Sequence, residues 1–320
     1  MNILLTAIGK RVQLIKHLKK NFNVIGVDAG ELAPAIYFVD KFYQIEKFYE
    51  EGYIKSLFEI CKKEKVDLLI PLYELEFLLL SKYREKFNYI GTTLVLSNSK
   101  IIDICNDKFK TYDFLHKNIN CPKIYRDIDI ENIIKEQIND VYPLIIKPKN
   151  GMGSSGVFKI SNIKELSFFK DYVKEPIIQQ YIQGEEYTVD VLCDFEGQPI
   201  YVVPRKRLEV RSGEVSKSKV VNDEKIIKET LKVIQLLNNE KENGIGLMGP
   251  LTIQFFKTKK DEIYFLEINP RFGGGVPLSF KAGADYSKAL KEMKLGKKLK
   301  YEDFFEEITM LRFDDAIFIE

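Results

Sequence analysis

Through its first hundred residues the chain alternates short apolar runs with amphipathic stretches. Asn2–Ile8 (NILLTAI), Val24–Asp28 (VIGVD), a piece within 37–45, Asp67–Pro71 (DLLIP) and Thr92–Leu96 read as strands. Between them, 10–20, Tyr53–Glu64 and Glu74–Tyr83 carry helical spacing. Strand–helix alternation at this interval predicts a parallel sheet with helices on its faces. Two further helices are expected at Ser99–Cys105 and Lys108–Lys117. Beyond them the pattern changes: strand-like runs at Tyr142–Lys147, Gly156–Ile160, Ile177–Tyr181, Tyr187–Cys193, Ile200–Arg207, Leu251–Phe256 and Ile263–Asn269 lie close together. Only two helices interrupt these runs, Ile163–Val173 and Glu224–Asn238, which predicts antiparallel sheets in an α+β arrangement.

Composition narrows the class. The chain has 320 residues, with 49 Lys+Arg against 47 Asp+Glu. That length predicts two or three domains, and the near-neutral charge argues against a nucleic-acid partner. The four cysteines, Cys61, Cys105, Cys121 and Cys193, lie at least 16 residues apart. Such spacing fits neither a disulfide framework nor a zinc site, and leaves buried or idle thiols. The N-terminus runs from apolar to basic, the reverse of a secretion signal, and nothing approaches a membrane span. A cytoplasmic protein is expected.

Gly9, Asp28 and Glu74 follow strand ends, where a parallel sheet places its ligands. TAIGKR lacks the later glycines of a dinucleotide fingerprint, and Asp28 serves equally well as a cap. Glu74 and Glu76 put two carboxylates near one strand end, although acids also favour helix starts for their own sake.

Four later segments carry more chemistry. In IIKPKNGMGSSGVF a strand brings Lys147 to Gly151, Gly153, Ser154, Ser155 and Gly156. Glycine backbone can surround phosphate oxygens, but a glycine-rich hairpin turn would look the same. In IIQQYIQGEEYTVDVL a strand ends near Ile182, turns at Gly184 and resumes at Glu186, an acid able to accept from ribose hydroxyls or merely a surface charge. In LTIQFF and YFLEINPRFGGG, alternation puts Glu267 and Asn269 on one face and Leu266 and Ile268 on the other, with Gln254 across the pair. Three oxygen ligands without histidine or thiol suit Mg2+, and Arg271 would aim a cation at bound phosphate. A Glu267–Arg271 ion pair is the structural alternative. Finally, three of the chain's eight arginines, Arg205, Arg207 and Arg211, cluster in PRKRLEVRSGE. This suggests forked recognition of an anion, or a charged edge strand.

Together these segments resemble the ATP-grasp superfamily, in the branch similar to one half of the carbamoyl-phosphate synthetase large subunit. NILLTAIGKRVQLIKHLKK resembles that branch's preceding domain, NDKFKTYDFL its entry segment, and MLRFDDAIFIE its end. The resemblance implies a small doubly wound α/β domain (1–97) followed by a two-lobed ATP-grasp domain (98–320), with lobes of about 108–183 and 184–320. It implies ATP and Mg2+ as cofactors, with Mn2+ an alternative. Lys108 and Lys147 would contact phosphates, and the loop from Gly151 through Gly153, Ser154 and Ser155 to Gly156 would close over them. Gln180 and Ile182 would face adenine, and Glu186 would hold the ribose. Gln254, Glu267 and Asn269 would hold the metal, and Arg271 would stabilise the transferring phosphoryl group. The implied reaction activates a small carboxylate as an acylphosphate for attack by an amine or thiol. A nucleotide sensor without turnover and a kinase are the alternatives. One such unit leaves no place for glutamine hydrolysis, so carbamoyl phosphate synthesis itself is not expected. Glu74, Arg205, Arg207 and Arg211 are the substrate candidates, and relatives that dimerise make a homodimer compatible.

Overall fold

The computed structural model describes residues 1–149, 156–211 and 213–319. The chain begins with β1 (Asn2–Leu5), α1 (Val12–Leu18), β2 (Asn23–Asp28), β3 (Lys41–Gln44), α2 (Tyr53–Lys63) and β4 (Leu68–Ile70). It continues through α3 (Phe77–Ser81), α4 (Arg84–Tyr89) and β5 (Thr93–Leu94). These strands form a wholly parallel sheet in the order β3-β2-β1-β4-β5. The winding reverses between β1 and β4, which defines the crevice at their carboxyl ends. Both sheet faces are covered, as the continuous apolar runs require. Ile3, Leu5 and Ile70 pack on one side, Leu4, Ile25 and Leu69 on the other.

Two departures from the sequence expectation lie at that crevice. Helix α1 begins at Val12, with Arg11 as its N-cap residue. The helix expected over 74–83 is instead a 3-10 turn (Glu74–Glu76) followed by α3. Glu76 causes the change by turning inward. At 2% exposure, it accepts hydrogen bonds from the Thr6 and Tyr53 hydroxyls and from the Tyr73 amide. It is therefore a buried bracing group, not a solvated helix-start acid.

Next come α5 (Ser99–Asn106), α6 (Lys108–Leu115), β6 (Ile124–Tyr125), α7 (Asp127–Lys135), β7 (Leu144–Pro148), β8 (Phe158–Ile160), α8 (Ile163–Tyr172) and β9 (Pro176–Gln180). A four-stranded antiparallel sheet, β6-β9-β7-β8, forms here with its own core of Ile130, Ile133, Leu144, Ile146, Ile160 and Ile178. The remaining elements are β10 (Gly184–Cys193), β11 (Pro199–Arg211), β12 (Glu214–Val220), α9 (Glu224–Asn238), β13 (Gly249–Thr258), β14 (Ile263–Asn269), α10 (Pro277–Lys281), α11 (Tyr286–Lys294) and β15 (Thr309–Leu311). They build a six-stranded antiparallel sheet, β14-β13-β10-β11-β12-β15.

Gly184 is not a turn residue. It opens β10, where a Cβ would lie 2.7 Å from the Lys257 carbonyl oxygen of β13, so close strand approach demands glycine. One face of the large sheet packs Tyr187, Val189, Val202, Ile253 and Phe255 against α9. Leu192, Val203 and Val220 join Phe272, Tyr286 and the β1–α1 residues in a core shared with the parallel sheet.

Candidate active site

Register determines which side chains meet. Across the large sheet, Arg205, Thr188, Gln254 and Glu267 are cross-strand neighbours in one row. Asp190, Thr252 and Asn269 form the next row, so all seven share the face opposite α9. Glu267 Oε1 accepts from Gln254 Nε2 at 2.7 Å and from Asn269 Nδ2 at 3.2 Å. The three expected ligand residues are thus brought together. Strand β14 does not alternate as expected, however. A bulge follows Gln254 in the β13–β14 register, and Phe265 and Ile268 are the residues buried in the core, not Leu266 and Ile268.

Lys147 reaches this group from β7. It is 8% exposed, and burial pulls its ammonium down to about 8, with Lys108 adding to the depression and Glu267 opposing it. Lys108, the first residue of α6, donates to the Lys149 carbonyl at 3.1 Å. Asp107 caps the same helix by accepting from the Phe109 amide, and pairs with Lys149 Nζ at 3.0 Å. Gln180 ends β9, its amide donating to the Lys123 carbonyl at 2.8 Å, while Ile182 is buried just beyond. Gly151, Gly153, Ser154 and Ser155 lie outside the described residues. Gly156 has φ +71° and sits against Pro148, at the end of the neighbouring strand.

Glu186 is paired with Arg207, whose Nη1 lies 2.5 Å from Glu186 Oε1 and 3.2 Å from Gln254 Oε1. Its Nη2 donates to the Gly213 carbonyl, and among the described residues its buried Nε has no hydrogen-bond partner. Burial pushes the Glu186 carboxyl up, and Arg207 opposes that shift. Arg207 is therefore tied to Glu186 and Gln254 in neighbouring rows.

The two other arginine candidates stand apart from this group. Arg205 is 1% exposed and its fork is already filled. Nε and Nη2 hold Asp190 at 2.6 and 2.9 Å, and Ser279 donates to the same carboxylate. A guanidinium so enclosed has its fork committed to the framework. Arg211 sits exposed at the outer end of β11, opposite Glu214. Glu74 Oε1 lies 2.6 Å from Arg271 Nε, a close ion pair, and among the described residues this buried oxygen accepts no hydrogen bond. Arg271 thus pairs with Glu74 and not with Glu267. The Thr252 hydroxyl anchors the Arg271 carbonyl at 3.0 Å.

Sequence reasoning missed Arg11, and with it Glu214 and Arg312, whose charges act on Arg11 together with those of Arg271 and Glu74. Arg11 stands in GKR directly after the first strand, where the switch-point rule could have found it. Glu214 opens a strand whose sequence, EVSKSKV, carries too little apolar signal to be read.

Two family models match the chain. A model described as the ATP-grasp domain matches residues 105–275, more than half of the chain. The chain belongs to the ATP-grasp family. A model of the PylC-like N-terminal domain matches residues 3–95. This ATP-grasp chain is 29% identical over 214 residues to the carbamoyl phosphate synthase large chain of Caldanaerobacter subterraneus subsp. tengcongensis, covering 63% of the chain and 19% of that protein. It is 24% identical over 284 residues to the corresponding Campylobacter jejuni protein, covering 84% and 25%. The chain therefore spans a fifth to a quarter of these relatives.

Among solved structures, the biotin carboxylase of Campylobacter jejuni in complex with β-γ-ATP has a TM-score of 0.72 at 19% identity, over 95% of this chain and 73% of that one. N5-carboxyaminoimidazole synthetase from Staphylococcus aureus has a TM-score of 0.72 at 18% identity, over 96% and 79%. Both likenesses concern the fold: a parallel sheet followed by antiparallel lobes. No helix among the described residues is long and apolar enough to cross a membrane.

Proposed function

We propose that this protein is an ADP-forming ligase that uses ATP and Mg2+ to activate a small carboxylate as an acylphosphate, which an amine or thiol then attacks. One observation carries the reading. Glu267 stands between the Gln254 and Asn269 amides with the buried Lys147 ammonium held in its field. A buried lysine so depressed needs an anion, and phosphate oxygens supply one.

The residues fit a hard cation. Among the described residues no group of three His, Cys, Asp or Glu side chains is placed for a metal. A cation here would therefore rest on one carboxylate and two amide oxygens, presented by turning each amide over, which is the oxygen chemistry Mg2+ favours. Bound there, it would neutralise phosphate charge. Lys147 and Lys108 orient the phosphates, and Glu186, held in place by Arg207, accepts from the ribose. Gln180 and Ile182 line the adenine. The loop of Gly151, Gly153, Ser154, Ser155 and Gly156 excludes water from the mixed anhydride. Arg271, held by Glu74, faces the charge that develops on the transferring group. In this reading residues 1–97 form one unit and 98–320 the nucleotide clamp.

The test is ADP and phosphate release from MgATP against pools of small carboxylates, amines and thiols, with Glu267→Ala as control. We expect stimulation by one pool in wild type, and a loss of about a hundredfold or more in the variant. Equal release by both proteins would sink the proposal, and a stable phosphorylated product would replace it with a kinase.

A further inference from the structure

The stretch from Arg271 to Ser279 is fastened to the large sheet at three places. At its start the Thr252 hydroxyl of β13 donates to the Arg271 carbonyl at 3.0 Å. At its end Ser279, in α10, donates to Asp190 Oδ2 of β10 at 2.5 Å. Between these points Gly273, Gly274 and Gly275 cross the sheet face. A Cβ on Gly273 would lie 2.8 Å from Thr252 Oγ1 and 3.2 Å from Asp190 Oδ1. One on Gly275 would lie 2.5 Å from Arg205 Nη1. None of the three glycines takes a left-handed φ. What they supply is closeness: the backbone lies flat on the side chains beneath it.

Those side chains have nowhere to move. Thr252, Asp190 and Arg205 are all buried, and they come from three adjacent strands, β13, β10 and β11. Arg205 grips Asp190 through Nε and Nη2 at 2.6 and 2.9 Å, and its Nη1 lies 3.5 Å from the Ser218 hydroxyl. A buried ion pair is often no more stabilising than apolar side chains of the same volume, so stability alone does not account for this one. A satisfied buried polar network does give a single rigid arrangement. Here that arrangement bears directly on Arg271. Its carbonyl is fixed by Thr252, the adjoining Phe272 is buried, and its Nε lies 2.6 Å from Glu74.

We propose that Thr252, with the Asp190–Arg205 pair beside it, positions Arg271 for the charge that develops on the transferring group. The glycine run covers all three side chains, so they are positioning residues that act through the backbone of 271–275. The effect on turnover rests on the ligase reading, but the placement of Arg271 does not.

The experiment compares Thr252→Val, which keeps the shape and loses the hydroxyl, with Thr252→Ser, which keeps the hydroxyl. Hydrogen exchange reports placement without any substrate. Its probes are the Arg271 and Val276 amides, which donate to the Asn269 and Gly273 carbonyls. We expect exchange there at least about tenfold faster in Thr252→Val, unchanged along β14, and at the wild-type rate in Thr252→Ser. ADP release with the pool that stimulates wild type reports turnover. In Thr252→Val kcat should fall at least about tenfold with KM for MgATP held within about twofold, and Thr252→Ser should restore kcat. In an Arg271→Ala background the valine change should cost nothing further, because only Arg271 transmits it. If Thr252→Val fails to fold, Gly275→Ala carries the test by pressing a Cβ on Arg205. Gly274→Ala, whose Cβ meets the half-exposed Glu214 carboxylate instead, is its control and should behave as wild type. The inference is overturned by unchanged exchange at Arg271 and Val276, by a KM for MgATP that rises as kcat falls, or by additive losses with Arg271→Ala. Local loosening in Thr252→Val, with no ADP release by wild type from any pool, would uphold the placement and remove the ligase reading. Stimulated ADP release that Thr252→Val leaves intact, with exchange also unchanged, would do the reverse.

Discussion

Lys147 couples the candidate site to pH. Its ammonium falls to about 8 in the folded protein from an ordinary value near 10.5, because burial strips its hydration. Between those values the unfolded chain holds the proton more firmly, so the stability of the ligand-free protein rises with pH through that window. Nucleotide binding goes the other way, since phosphate needs the charged form. ATP affinity is expected to decline as pH rises through about 8, while Lys147→Arg, which stays protonated, stays flat up to pH 9.5. Parallel profiles of the two proteins in calorimetric titrations would remove Lys147 from the phosphate site. Arg205 makes a different prediction. Its loss strands the buried Asp190 carboxylate, so Arg205→Ala should cost about 3–5 kcal/mol in urea unfolding. Arg207→Ala, in contrast, should raise KM for ATP and leave that for the acceptor unchanged, because Arg207 holds Glu186 and Gln254.

At the scale of elements, long apolar or periodic segments were legible and short or polar ones were not. Strands β1, β2 and β4 are apolar runs, and α9 and β14 have the bounds expected from the sequence. Two-residue β6 and polar β12 carry no such pattern, and pairing with neighbours alone makes them strands. Period-two alternation also located Gln254, Glu267 and Asn269, since the cross-strand register keeps them on one face. It could not reveal that Glu74 meets Arg271, or that Arg205 meets Asp190, because both contacts depend on how distant segments pack. Gly184 tests the packing of β10 on β13. Gly184→Ala forces a Cβ against the Lys257 backbone and should cost about 1–3 kcal/mol by overpacking. Gly91, with open space around its Cβ position but φ +83°, offers a comparison in which only backbone strain acts.

For the whole molecule, the distribution of cores predicts how the protein comes apart. The parallel sheet and the large antiparallel sheet share one cluster running from Ile3 and Leu14 to Val203, Phe272 and Tyr286. The four-stranded sheet has a separate and smaller one. Hydrogen exchange in rising urea should show β7 and β9 losing protection first, and β1 and β11 later and together. Loss of β1 protection while β11 stays protected would show that the shared cluster does not couple the two sheets. The small sheet that opens first also carries Lys147, so nucleotide should raise its protection more than that of the rest.

The bulge between β13 and β14 bears on the lengths this hairpin can tolerate. Gln254 and Glu267 are opposite each other, as are Phe255 and Phe265, and Leu266 is the extra residue between them. The hairpin is thereby divided into a half that carries the candidate ligands and a tip, each with its own phase. Inserting or deleting a residue in the tip changes the phase of the tip alone, and the irregularity already present can absorb it. The same single-residue change between Glu267 and Asn269 would leave one of them in the site and turn the other into the core. Natural and engineered variation in length should therefore accumulate on the far side of Leu266, while the three residues from Glu267 to Asn269 keep their count.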